Sequence, residues 1–208
     1  MNKKINLYNL EQMKKLLLVS LTLSLSISYG QKKEIKKASK LFDAGDVKGA
    51  EVMLNNNNSL FEGADIKILN QKTFLEGKIA QSNKDFTTAY NKFIIFKEAV
   101  GANQDLDDQL VRLTSDIVNQ AINDNAEKRY AQASENLYLA YQIDNKKNVD
   151  YLYYAASSAV NGSDFEGALK FYDELKDIRY EGITTKYTAK SVDSGETVEF
   201  SKSEFELI

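Results

Sequence analysis

The sequence predicts an all-α fold, an α-solenoid of stacked helical hairpins that ends in a short β-hairpin. Three observations predict it. After residue 31, apolar residues recur every three or four positions, which is the spacing of one helix face. A tight turn followed by an alanine occurs four times, with the alanines at Ala50, Ala89, Ala133 and Ala168. From Gly182 the period changes to the alternation of a strand.

The chain divides into three stretches, 1–30, 31–181 and 182–208. The first reads as a secretory signal peptide with an extended basic region. Lys14 and Lys15 precede an apolar run from Leu16 to Ile27, and Ser28-Tyr29-Gly30 supplies a small-x-small site before Gln31. The run is too short to span a bilayer comfortably. No cysteine follows it, so it is not a lipoprotein leader. The processed chain is therefore expected to be soluble, with no stable membrane span.

The first hairpin begins with a helix from Lys32 to Ala44, with Ile35, Ala38, Leu41 and Phe42 on its apolar face. Lys32, Lys33, Lys36, Lys37 and Lys40 suggest either anionic partners or, as the preferred reading, a solvated face. Gly45-Asp46-Val47 is the turn, and Leu54 an inward residue of the second helix. Asn55 to Asn58 reads as a helix end.

The second hairpin spans Ile66 to Val100. Ile66, Leu69, Phe74, Gly77 and Ala80 form its first stripe, and Asp85-Phe86 its turn. Gly101 to Asp107 reads as a polar linker. The third hairpin spans Leu110 to Ile143, with a stripe of Leu110, Leu113, Ile117, Val118 and Ala121. Arg129-Tyr130 replaces the Asp-aromatic pair there, which predicts a weaker cap. In the fourth, Leu152, Ala155, Ala156, Ala159 and Val160 share a face. Gly162 is read as the left-handed stop, and Ser163 or Asp164 as the next cap. Phe165, Ala168, Leu169, Tyr172 and Leu175 form the second inward face, and Tyr154 is expected to pack between helices.

This pattern resembles the tetratricopeptide (TPR) repeat. Ala156 stands at the family's small position in the first helix, Asp164-Phe165 at its turn, Ala168 at its conserved alanine and Tyr172 at its aromatic. Leu175 is larger than the family prefers, and the chain has no proline. The alanine separations run from the mid-thirties to the mid-forties, against about 34 residues in true TPR units. The resemblance implies a concave groove that binds an extended peptide or helix of a partner. The residues that it places in the groove are Phe74, Lys78 and Gln81, then Val118, Ile122 and Asn125, then Tyr153, Ser157 and Asn161. The paired Lys and Asn with which some members clamp a C-terminal carboxylate are missing.

Beyond Gly182, Ile183, Thr185 and Tyr187 alternate with polar residues. Asp193 to Glu196 reads as a turn and Thr197 to Phe200 as the returning strand. Ser201 and Glu204 have the capping-box spacing, so a helix starts there. Phe205, Leu207 and Ile208 follow with no stop signal, and solenoid ends normally carry a polar face. The expectation is an array that continues past Ile208.

Composition limits the chemistry. The chain has no cysteine and no histidine, which excludes disulfides, thiolate or imidazole metal ligands, and Ser-His-Asp or Cys-His catalysis. Asp107-Asp108 has no partner motif. Asn123-Asp124-Asn125 with Glu127 lacks the glycine and the final glutamate of a calcium loop. The formal charge is −3, and removal of residues 1–30 makes it three units more negative. No basic footprint for nucleic acid is expected. Neither a cofactor nor a metal is expected, nor enzymatic activity.

The resulting expectation is an exported scaffold or adaptor for a protein or peptide partner, in the periplasm or at the outer membrane of a Gram-negative cell. A carbohydrate-binding uptake component is the first alternative, although the chain has no tryptophan for sugar stacking. A carboxylate-dependent hydrolase is the second. Cleavage between Gly30 and Gln31 is the immediate prediction. N-terminal mass analysis of the envelope-fraction protein should find Gln31 first, and a retained Leu16–Ile27 run in a cytoplasmic pool would refute export.

Overall fold

The computed structural model describes residues 12–15, 17, 29–182, 185–192 and 194–207. Apart from Leu17, the apolar run from Leu16 to Ile27 lies outside them, as do Ile183, Asp193 and Ile208. The fold is all-α, with helices packed in adjacent pairs and a two-stranded antiparallel sheet near the C-terminus. Among the described residues, no helix is long and apolar enough to cross a membrane.

Residues 29–43 form α1. Then come α2 (Val47–Asn56), a 3-10 turn (Asn58–Phe61), α3 (Ile66–Ser82), α4 (Phe86–Val100), α5 (Gln104–Ala126), α6 (Tyr130–Ile143), α7 (Val149–Asn161) and α8 (Phe165–Asp177). Strands β1 (Tyr187–Lys190) and β2 (Thr197–Phe200) precede a single helical turn, α9 (Lys202–Phe205). The chain separates into two compact units, Met1–Gln120 and Ala121–Ile208. That boundary falls within the 31–181 stretch and inside α5.

One turn geometry recurs in both units. In the α1–α2 turn, Gly45 N–H bonds Phe42 C=O and Asp46 N–H bonds Leu41 C=O. The same pair of bonds closes the turns at Lys84-Asp85, Lys128-Arg129 and Ser163-Asp164, and it ends α8 at Arg179-Tyr180. This is the Schellman arrangement, which satisfies the free carbonyls of a helix end. It needs a left-handed residue, supplied by Gly45 (φ 86°), Lys84 (61°), Lys128 (62°), Ser163 (63°) and Arg179 (55°). The fourth hairpin thus differs from the sequence expectation. Gly162 has φ −83°, and Ser163 takes the left-handed position.

The residue after the left-handed one starts the next helix. Asp46, Asp85 and Asp164 each accept a hydrogen bond from the backbone N–H three residues on, at 2.8–3.1 Å. Each satisfies one orphan donor of the helix start. Arg129 makes no such cap, as its residue type predicts. Its turn is held by charge instead. Arg129 Nε and Nη2 donate to Asp124 Oδ1 at 3.0 and 2.6 Å, and Asn136 donates to Asp124 Oδ2 at 3.1 Å.

The four repeat alanines are all buried, at 0% exposure for Ala50, Ala89 and Ala133 and 3% for Ala168. In the first unit, Ala38, Ala50, Leu54, Leu75 and Ile79 form one core cluster, and Ile35, Phe61 and Ile68 another. Gln31 is buried there too, its amide donating to Leu60 C=O at 2.8 Å. In the second unit, Ala121, Ala133, Leu137 and Ala155 form one cluster, and Tyr141, Leu152 and Leu175 another. Ser134 Oγ donates to Ala155 C=O at 2.9 Å and pins α6 to α7.

Several sequence expectations are corrected. Gln104 to Asp107 is helix rather than linker. Asn103 Oδ1 caps the Leu106 N–H at 3.0 Å, and Asp105 and Asp107 favour the positive end of the helix dipole. Leu106 anchors this extra turn in the core. On α3, Ile66 is exposed and Ile68 takes the inward place. On α8, only Ala168 and Leu175 are buried. Phe165, Leu169 and Tyr172 lie outside the core, and so does Tyr154 on α7. The first strand begins at Tyr187, later than the alternation suggests. Its register pairs Tyr187 with Phe200 and Lys190 with Thr197. The capping box is present, with Ser201 N–H donating to Glu204 at 2.8 Å. Phe205 packs on Tyr187, ring centroids 5.4 Å apart, which attaches the one-turn α9 to the sheet.

Gly77 is the tightest helix contact. An added Cβ there would stand 2.5 Å from the ring of Phe93, which is fully buried. Alanine is about 1 kcal/mol better than glycine in a helix interior, but overpacking a filled core costs about 1–3 kcal/mol. Gly77→Ala should therefore lower stability by up to about 2 kcal/mol, read as a lower urea midpoint at unchanged m-value.

Candidate partner-binding surface

Each unit carries its own candidate surface. In the first, α1 and α3 lie along an open cavity of 590 Å³. Phe74 and Phe96 form its aromatic wall, with ring centroids 4.8 Å apart, and Phe74 also packs on Phe93 at 5.6 Å. Ile35 and Leu75 add buried apolar surface. Lys32, Lys36 and Lys78 stand around them. Lys78 Nζ lies 4.7 Å from the centre of the Phe42 ring, a cation–π contact that orients the ammonium.

Phe74 and Lys78 are thus brought together in one cavity. Gln81 is not available beside them. It is buried, donates to Asp116 Oδ2 at 2.6 Å and accepts from Gln109 at 2.6 Å. A side chain whose donor and acceptor are both used inside the protein holds α3 to α5 rather than reading a partner. Val118 is half-buried.

In the second unit, Ile122 and Asn161 are exposed. Asn125 is half-buried, and its Oδ1 accepts from Ser158 Oγ at 3.1 Å. Ser157 Oγ turns back to the Tyr153 carbonyl at 3.0 Å. Tyr153 is exposed and sits in an aromatic group, 5.8 Å from the Tyr154 ring and 6.2 Å from Tyr180. Tyr180 donates to Asp150 at 2.7 Å. Burial and that carboxylate push its phenol up to about 12. Tyr141 behaves alike, bonded to Glu174 at 2.8 Å and raised to about 12, with burial the first cause. Both phenols therefore stay neutral donors in ordinary conditions.

No protein-family model, curated protein or solved structure matches the chain.

Sequence reasoning missed the part played by Lys32, Lys36 and Phe96. The lysine spacing of four was visible, but the sequence did not reveal that this face borders Phe74. It also missed the exposed row on α8, where Phe165 is 66%, Leu169 60% and Tyr172 40% exposed. Their spacing of four and three residues puts all three on one exposed face of α8.

Glu76 is also on α3, outside the lining of the first unit's cavity. It receives both Lys72 and Lys92, the latter at 2.6 Å, and so ties α3 to α4. Burial pushes its carboxyl up, but hydrogen bonds and charge from the two lysines outweigh this and leave it below the ordinary glutamate value. A carboxylate depressed on folding contributes stability above its unfolded pKa and loses it as acid titrates the folded form. The stability gap between the native chain and Glu76→Gln should therefore be constant near neutrality and close below the ordinary glutamate range. Urea midpoints measured across acidic pH values check this.

Proposed function

We propose that the chain is a protein–protein interaction scaffold built on TPR-like repeats, exported to the periplasm or the outer membrane. The observation that carries this reading is the exposed row Phe165, Leu169 and Tyr172 on α8. The burial of Ala168 and Leu175 fixes α8, so the row is presented on a held surface. A partner segment docking there meets side chains already in place and loses less ordering entropy than on a flexible site. The recurring turn and the buried alanines support the TPR-like part of the reading. Export rests on the order of basic, apolar and small residues before Gln31.

The test is affinity capture from the native envelope with the tagged chain and with a Phe165→Ser/Leu169→Ser variant. Both positions are outside the core, so thermal melts of the two proteins should agree. Discrete partners that bind the native chain and fall at least tenfold with the variant are expected. Equal capture by both, or none by either, would overturn the reading.

A further inference from the structure

The cavity of the first unit has a chemistry that the scaffold reading leaves unused. Its apolar part is Ile35, Phe74, Leu75 and Phe96, and its charged rim is Lys32, Lys36 and Lys78. Lys32 and Lys36 are one helical turn apart on α1 and so share a face. Neighbouring lysines have acidic partners: Lys37 pairs with Glu34, and Lys72 and Lys92 pair with Glu76. Lys32, Lys36 and Lys78 have no ion pair among the described residues, and Lys78 has only the Phe42 ring. Asp105 is the one acidic residue in the lining, and Asn103 beside it is occupied in capping α5. The rim is thus net positive on a chain that is net negative.

From this geometry we infer that the groove binds an acidic peptide segment of a partner protein, with one aromatic or long aliphatic side chain between flanking Asp or Glu residues. The apolar side chain packs against the wall formed by Phe74 and Phe96. The flanking carboxylates take the ammonium groups of Lys32 and Lys36 on one side and Lys78 on the other. The volume of 590 Å³ lies within the range of about 300–1,000 Å³ of small-molecule pockets, enough for one large side chain and its neighbours. Charge sets the encounter rate and the partner class, and the aromatic wall supplies the contact that a simple polyanion lacks. This inference rests on the scaffold reading and assigns a partner chemistry to a surface separate from α8.

The test is fluorescence anisotropy of the full chain with a labelled peptide, Ser-Asp-Glu-Phe-Glu-Asp-Ser, and two relatives. One relative has Ser for Phe, the other Lys for every acid. The first is expected to bind, the Ser relative at least tenfold more weakly, and the Lys relative not at all. Lys36→Glu/Lys78→Glu should weaken binding of the first at least tenfold, whereas Lys33→Glu/Lys40→Glu, the same charge change on residues outside the cavity lining, should leave it within twofold. Equal loss in both double variants would reduce the effect to bulk charge and overturn the inference. Binding of anionic phospholipid vesicles but not of the peptide would overturn it too. If envelope partners are still captured through α8 while the peptide fails, the groove assignment falls alone. Failure of both removes the scaffold reading with it.

Discussion

Everything in this fold depends on how closely two helices of a hairpin can approach. Ala50, Ala89, Ala133 and Ala168 are sealed from solvent, and Gly77 touches the Phe93 ring with no room for a methyl group. Packed helix axes lie about 8–10 Å apart depending on the side chains at the contact, and small residues favour the close end of that range. That closeness brings large residues such as Leu54, Phe93, Leu137 and Leu175 into full burial on either side. It also fixes where the outward residues of each helix stand, and Lys36 of α1 and Lys78 of α3 line a common cavity.

Much of the architecture was legible because helix periodicity, turn chemistry and small residues agreed. Asp46 and Asp85 were readable as turn residues, and the fourth cap was narrowed to Ser163 or Asp164, of which Asp164 is the cap. The missing cap at Arg129 was readable from residue type. What replaced it was not. Asp124 is five residues away and buried, and its pairing with Arg129 and Asn136 depends on how α5 and α6 meet. The early start of α5 was hidden by composition, since Asp105 and Asp107 look like linker residues until Asn103 is seen to cap the Leu106 N–H.

The candidate surfaces were less legible. Periodicity says which residues share a face but not which face finds a neighbour. Phe165, Leu169 and Tyr172 have the spacing of a core stripe, yet α8 packs through Ala168 and Leu175. Gln81 shows the converse. The TPR resemblance placed it in a partner groove, but its amide fits a buried network with Gln109 and Asp116. Lys32 and Lys36 read as solvated charge because the aromatic wall they border comes from residues some forty to sixty positions away in sequence.

The repeated Schellman turn bears on the order in which the chain reverses direction before it is packed. A residue with a Cβ enters the left-handed region at a cost of roughly 1–2 kcal/mol, whereas glycine enters freely. Lys84, Lys128 and Ser163 must meet that cost within their turns, and Gly45 does not. In the unfolded ensemble the bend between α1 and α2 is therefore the most populated of the four. The later bends depend on their caps and on helix contacts to hold them. A geometry that looks uniform in the folded protein is thus graded along the chain, with the N-terminal hairpin the readiest to close.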